Sequence, residues 1–395
     1  MLEARLYKVD QQMAKPFGHA ALKRECADSI VLVLQYGKLW GMGECAPRAY
    51  VTGESSEGVL EAATRVDMTQ IGVRIFGTSP SEVVRLMFEE GASCFLGLQQ
   101  EGNNLACLFE LAVLDLLARR EGCSVARLIA SALNWSEPVT ESGEIPFSHV
   151  LDFSTDGCRP GTELVGARVI KIKADADVGR TVSSAQAVRE VAGKEPLLII
   201  DANMSWDMAT AFRHAEALVG LGVGLYEEPL TGGDLVGASI LRRTGGMSVM
   251  LDESLCSLSD AQRAVVAGAC DAFNIRVAKC GGLLNSVRLI RFAREHGIRY
   301  QIGVQVAEVG PLIQAERQLA LLCPGFLTME AGQHDRFFSE MVVAPIPLIN
   351  RPGHLIVISP VTGLGVQPTP LLDYFSCSCG SQAKSNSAIT YGNRS

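Results

Sequence analysis

The sequence predicts an α/β protein, a barrel of the (β/α)8 type preceded by a small α+β domain. Three observations carry this. Eight short β-rich runs after about residue 145 are separated by helix-sized gaps. Charged residues recur at the ends of five of those runs. The first 130 residues instead alternate like an antiparallel hairpin and then turn helical.

The chain has 395 residues, too many for one ordinary core and suited to a barrel of about 250 residues plus an accessory domain. With 35 basic against 43 acidic side chains the net charge is -8, and both signs are interspersed. That balance speaks against a nucleic-acid partner, whose phosphates call for clustered Lys and Arg. The start, Met1-Leu2-Glu3-Ala4-Arg5-Leu6, has no signal-peptide core, and no apolar run is long enough to span a bilayer. A soluble cytoplasmic protein without membrane partners is expected. Most of the 12 cysteines are scattered singly and read as small buried hydrophobes rather than disulfides or zinc ligands.

In chain order, Ser29–Tyr36, a Gly37-Lys38 turn and Leu39–Glu44 read as a hairpin. Leu105–Arg119 has apolar residues at helical spacing with a basic end. Residues 1–130 thus form one α+β unit, and 131–340 the barrel. Its strands are expected at Ile145–Leu151, Val169–Ala174, Leu197–Asn203, Leu225–Leu230, Ser248–Glu253, Phe273–Ala278, Ile298–Val304 and Phe326–Glu330. Residues 376–395, rich in Ser, Gly and Asn and carrying Cys377 and Cys379, read as a disordered tail.

Lys173, Asp201, Glu227, Asp252 and Arg276 follow at intervals of 28, 26, 25 and 24 residues, one per βα unit, each at a strand's C-terminal end. In barrels that rim builds the active site. Asp201, Glu227 and Asp252, with no His or Cys among them, make a hard oxygen site suited to Mg2+, with Mn2+ also possible. Glu228 competes with Glu227, since alternation turns only one inward. Lys171 and Lys173 share a strand face, and each ammonium destabilises the other's charge, which makes a usable general base. A base beside a dication suggests abstraction of a proton alpha to a substrate carboxylate.

These residues resemble the enolase superfamily, in particular its muconate lactonizing enzyme (mandelate racemase/muconate cycloisomerase) subgroup. The matching motifs are Lys171-Ile172-Lys173, Asp201-Ala202-Asn203, Glu227-Glu228-Pro229, Asp252-Glu253-Ser254 and Asn274 through Gly282, together with Gly43 through Glu54. The resemblance covers roughly residues 1–372. It implies metal ligation by Asp201, Glu227 and Asp252, with Lys173 as the acid/base and Lys171 assisting it. It also implies that residues 1–130, completed by part of 340–375, cap the barrel mouth. Two cap loops, near Phe17–Ala20 and Arg48–Thr52, would set specificity, and the resemblance suggests a homo-oligomer.

His19 reads as a substrate contact or as a structural histidine, and Tyr50 and Asn203 as substrate contacts. Glu308 and Glu330 are either substrate contacts or hydrogen-bonding scaffold.

One departure matters. The subgroup's sixth-strand lysine should fall at residue 276, which here is arginine. Lys279, an odd step further on, should point away toward the barrel's outside or the following loop. Arginine is a poor proton acceptor. The expected reaction is therefore one-base: cycloisomerisation, or syn elimination of water as in o-succinylbenzoate synthesis, on a small carboxylate. The alternatives are an N-acylamino acid or dipeptide racemase/epimerase using Arg276, and a non-catalytic metal- and ligand-binding relative.

Overall fold

The computed structural model describes residues 1–19, 22–98, 102–152 and 160–379, with the side chains of His19, Leu22 and 376–379 left aside. The expectations for the His19 side chain, for Cys377 and Cys379 as side chains, and for the tail beyond 379 lie outside the described residues.

The chain opens with β1 (Leu2–Val9), β2 (Gln12–His19), β3 (Leu22–Cys26), β4 (Ser29–Tyr36) and β5 (Leu39–Cys45). β1, β4 and β5 form an antiparallel sheet whose β4–β5 register runs from Tyr36↔Leu39 to Ile30↔Cys45, around the expected turn. Residues 376–379, expected within an irregular tail, instead add a strand to the other edge of β1, from Lys8↔Ser376 to Arg5↔Cys379. The main-chain groups of an open edge are paired this way whatever the side chains, so composition gave no sign of it.

The helix Asn103–Glu121 lies across β5 and is buried on almost every side. Gly41 and Gly43 permit this approach, because a Cβ at Gly43 would stand 2.0 Å from the Leu108 carbonyl oxygen and one at Gly41 2.3 Å from that of Ala112. Buried Asp115 on this helix accepts from the Met42 amide at 2.8 Å and the Leu364 amide at 2.7 Å, tying the last part of the chain to the first.

β6 (Gly143–Pro146) belongs to a small separate sheet, so the barrel begins only at β7 (Ser148–Leu151), later than expected. There follow β8 (Val169–Lys173), β9 (Leu197–Asp201), β10 (Val223–Glu227), β11 (Val249–Leu251), β12 (Ala272–Arg276) and β13 (Arg299–Gly303). All seven pair in parallel in sequence order. The eighth run, expected as a strand over 326–330, is reduced to single pairings of Met329 with Ile302 on one side and Phe147 on the other, which close the cylinder. The sequence predicts a helix in every gap, but β7 and β8 are joined by only one short helical turn, Thr162–Leu164, among the described residues.

Helices follow β8 through β13: Val178–Ala192, Met208–Ala217, Leu235–Thr244, Leu258–Ala267, Leu283–Glu295 and Pro311–Leu322. Four start where Asp177, Asp207, Asp234 or Ser257 accepts a hydrogen bond from the amide three residues on, each such cap stabilising its helix by about 1 kcal/mol. The strands are near-continuous apolar runs because each is covered on both faces.

None of the nine cysteines with described side chains is bridged; five are buried, whereas Cys94 is exposed and departs from the buried reading. Among the described residues no helix is long and apolar enough to cross a membrane.

His334 follows the eighth run and is buried, its Nε2 donating to the Pro347 carbonyl at 2.9 Å while Nδ1 has no partner. Burial pushes its pKa from an ordinary 6.5 down to about 4. Between those values the unfolded chain holds a proton that the folded chain refuses, so stability declines as the pH falls. The loss across this window totals about 3 kcal/mol. Urea unfolding from pH 7 to pH 4 should show it, and His334→Gln should flatten the slope.

Candidate active site

The C-terminal ends of the barrel strands bring most of the sequence's charged residues to one cavity, open in part to solvent, with Asp252 outside its lining. Lys171, Lys173, Asp201, Asn203, Glu227, Arg276 and Glu330 all line it. Register explains the convergence: Lys173 pairs with Asp201, and Asp201 with Glu227, across adjacent strands. Asp252 follows directly on β11 and is fully buried.

Lys173 Nζ lies 2.5 Å from Asp201 Oδ2 and donates to Asn203 Oδ1 at 2.9 Å. Asn203 has a left-handed backbone (φ 44°), which turns its amide back over the strand end, where its own N–H meets Asp201 Oδ1 at 3.0 Å. Lys171 Nζ sits 2.5 Å from Glu227 Oε2 and also contacts Glu330. Burial opposes the charge on Lys171, but Glu227, Glu330 and Asp201 outweigh it and hold the pKa above its ordinary value. For Lys171 this corrects the expectation of a pKa lowered by its paired lysine. Three neighbouring carboxylates act on Lys171 more strongly than Lys173 does, so it is a fixed cation.

Glu227 faces the barrel interior, its Oε1 accepting from Asn274 Nδ2 at 2.8 Å. Burial and the nearby Asp201 push its pKa up. For Asp201, burial is overcome by Lys173 and Lys171, which hold its pKa down. Glu228, the rival to Glu227, turns the other way and accepts from the Asp252 and Ser254 amides at 2.7 and 3.0 Å. It shapes the loop that presents Asp252.

Arg276 ends β12, touches Asp252 Oδ2 through Nη2, and donates from Nη1 to Gln305 Oε1 at 3.0 Å. Lys279 does not point outward as expected. Its side chain is fully buried, and Nζ meets Asp252 Oδ1 at 2.8 Å, the Asp252 carbonyl at 2.5 Å and the Asn274 carbonyl at 2.8 Å. The odd-step argument failed because strand geometry ends at Arg276, and the chain turns back there through Val277–Lys279.

Glu330 belongs to the cavity wall through Lys171, whereas Glu308 lies behind it. Its Oε1 accepts from the Gln305 amide at 2.6 Å, which supports the scaffold reading for Glu308. From the cap, Tyr50, Phe17 and Arg48 reach the cavity. Phe17 sits 5.9 Å from the Lys173 ammonium and packs edge-on against Phe337. Buried Arg48 donates to the Val306 carbonyl at 2.8 Å, pinning the cap loop to the loop after β13. Sequence reasoning missed Arg24, Gln305 and Gln333, which also line the cavity. They lie outside the five-residue rim period, and no spacing marked them.

The three carboxylates fit a hard divalent cation by donor chemistry. Glu227 Oε2 and Asp252 Oδ2 are buried, face cations and accept no hydrogen bond of normal geometry. Among the described residues no three His, Cys, Asp or Glu side chains stand together as a ready ligand set, because each carboxylate is turned to Lys171, Lys173, Arg276 or Lys279.

Residues 161–371, more than half of the chain, match the family model described as "Enolase C-terminal domain-like". The chain belongs to that family. It is 24% identical to the hydrophobic dipeptide epimerase of Enterococcus faecalis over 87% of this chain and 92% of the relative. Three solved structures share its fold. The N-succinyl Arg/Lys racemase of Bacillus cereus gives a TM-score of 0.82 at 21% identity, covering 95% of this chain and 98% of that one. The muconate lactonizing enzyme of Pseudomonas fluorescens, complexed with muconolactone, gives 0.80 at 22%, with the same coverage. The dipeptide epimerase of Cytophaga hutchinsonii, complexed with Mg and the dipeptide D-Ala-L-Val, gives 0.79 at 21%, covering 96% and 99%.

Proposed function

We propose that this chain is a Mg2+-dependent isomerase or lyase that removes a proton alpha to the carboxylate of a small substrate, using Lys173 as its single base. The observation that supports it is the residue at the end of β12: Arg276, a guanidinium where the family resemblance calls for a second lysine, lines the same cavity as Lys173. Asp201, Glu227 and Asp252 would hold Mg2+, which when bound supplies the Lewis acidity that makes an enediolate accessible. Mn2+ has similar ligand preferences and would substitute.

The protein's own residues do the rest. Lys173 is aimed by Asp201 and Asn203, takes the proton, and returns it on the same face or passes it to a leaving group. Lys171 stays charged between Glu227 and Glu330 and offsets negative charge gathering in the site. Arg276 donates to anionic oxygen. Phe17, Phe337 and Val150 make one side of the cavity apolar and restrict water. EDTA treatment should abolish turnover and Mg2+ should restore it; activity unaffected by a chelator would remove the metal from the account.

A racemase or epimerase of N-acylamino acids or dipeptides is the second reading. The family relatives named above as an epimerase and a racemase favour it. It requires Arg276 to serve on the second face, so solvent deuterium would enter from both enantiomers.

A further inference from the structure

The guanidinium of Arg276 and the ammonium of Lys279 share one carboxylate, Asp252, but they are held very differently. Lys279 has three oxygen partners and no exposed surface, so it has nowhere to go. Arg276 is 8% exposed, and that exposure opens into the cavity. Its Nη2 covers Asp252 Oδ2, one of the oxygens a divalent cation would need.

Two donors beside it are unused. Arg276 Nε and Gln305 Nε2 are both buried in the cavity wall without a hydrogen-bond acceptor, although the two side chains are already joined from Nη1 to Oε1 at 3.0 Å. A buried donor left without an acceptor is destabilising. An acceptor arriving through the cavity mouth would relieve both, and a carboxylate matches the planar guanidinium fork. Glu253 Oε1 lies 3.8 Å from Nη2.

We propose that Arg276 is a removable plug on Asp252: an anion bound at Arg276 and Gln305 draws the guanidinium away and frees Asp252 Oδ2 for the metal, so carboxylate and Mg2+ bind synergistically. The inference rests on the metal-dependent reading above. Linkage makes the effect reciprocal, each ligand raising affinity for the other by the same factor.

The test is calorimetric titration of Mg2+ into the metal-stripped protein, without and with acetate as the carboxylate probe, for wild type, R276M and R276K. Losing one charge-assisted contact on Asp252 corresponds to about a tenfold change in affinity. R276M should therefore bind Mg2+ about tenfold more tightly than wild type without acetate, with R276K between them. Acetate should tighten Mg2+ binding to wild type and leave R276M unchanged. Should R276M not fold, judged by circular dichroism, R276K carries the comparison with the same direction expected. Wild-type affinity that ignores acetate, or variants that bind no more tightly than wild type, would overturn the plug and leave the proposed function standing. Absence of Mg2+ binding in every form would overturn both.

Discussion

Replacing Lys173 with alanine lowers alpha-proton exchange by about 10²–10⁴-fold, the ordinary worth of a positioned general base. The side chain is nine-tenths buried at the end of β8, and both its hydrogen-bond partners lie on the loop edge of β9. Among the described residues, Lys171 is the one other lysine that lines the cavity. Lys171 is committed to Glu227 and Glu330, and Lys279 is sealed beneath Asp252. Exchange followed by NMR in D2O, with folding checked by circular dichroism, reads the effect. A variant retaining more than about a tenth of the wild-type rate would assign the base elsewhere.

The largest stability effect is expected from Lys279→Met. The methionine fills a similar volume but leaves Asp252 Oδ1 and two carbonyl oxygens without their shared donor. Removing one partner of a buried ion pair costs about 3–5 kcal/mol, because the other charge remains desolvated. Burial and the nearby Arg276 both lower the Lys279 pKa. Urea unfolding at pH 7 should show the loss. An effect below about 1 kcal/mol, the size seen for exposed pairs, would mean that Arg276 alone satisfies Asp252.

The sequence disclosed more of the rim than of its surroundings. Lys173, Asp201, Glu227, Asp252 and Arg276 were legible because a parallel strand with both faces covered is almost wholly apolar, so a single charge at its end stands out. The β4–β5 hairpin was legible from alternation and its two-residue turn. What failed were features set by long-range pairing. Met329 pairs with Ile302 and Phe147 at single positions, and residues 376–379 join β1 across most of the chain. Nothing local distinguishes such segments from loops. Lys279 was misplaced because strand alternation was carried beyond the strand's end. Gln305 was missed because an uncharged amide in a loop has no periodicity to reveal it, although its partner Arg276 had already drawn notice. Lys171 was found, but its electrostatics come from Glu227, Glu330 and Asp201, of which Glu330 is distant in sequence and adjacent only once the barrel closes.

The central claim is that one base works from one face. Its most direct test is deuterium incorporation, followed by NMR in D2O with Mg2+, across resolved enantiomers of small carboxylates that include N-acylamino acids and dipeptides. The account predicts incorporation from one enantiomer only, lost in Lys173→Ala. Comparable incorporation from both enantiomers would contradict it and establish two-base racemisation with Arg276 on the second face.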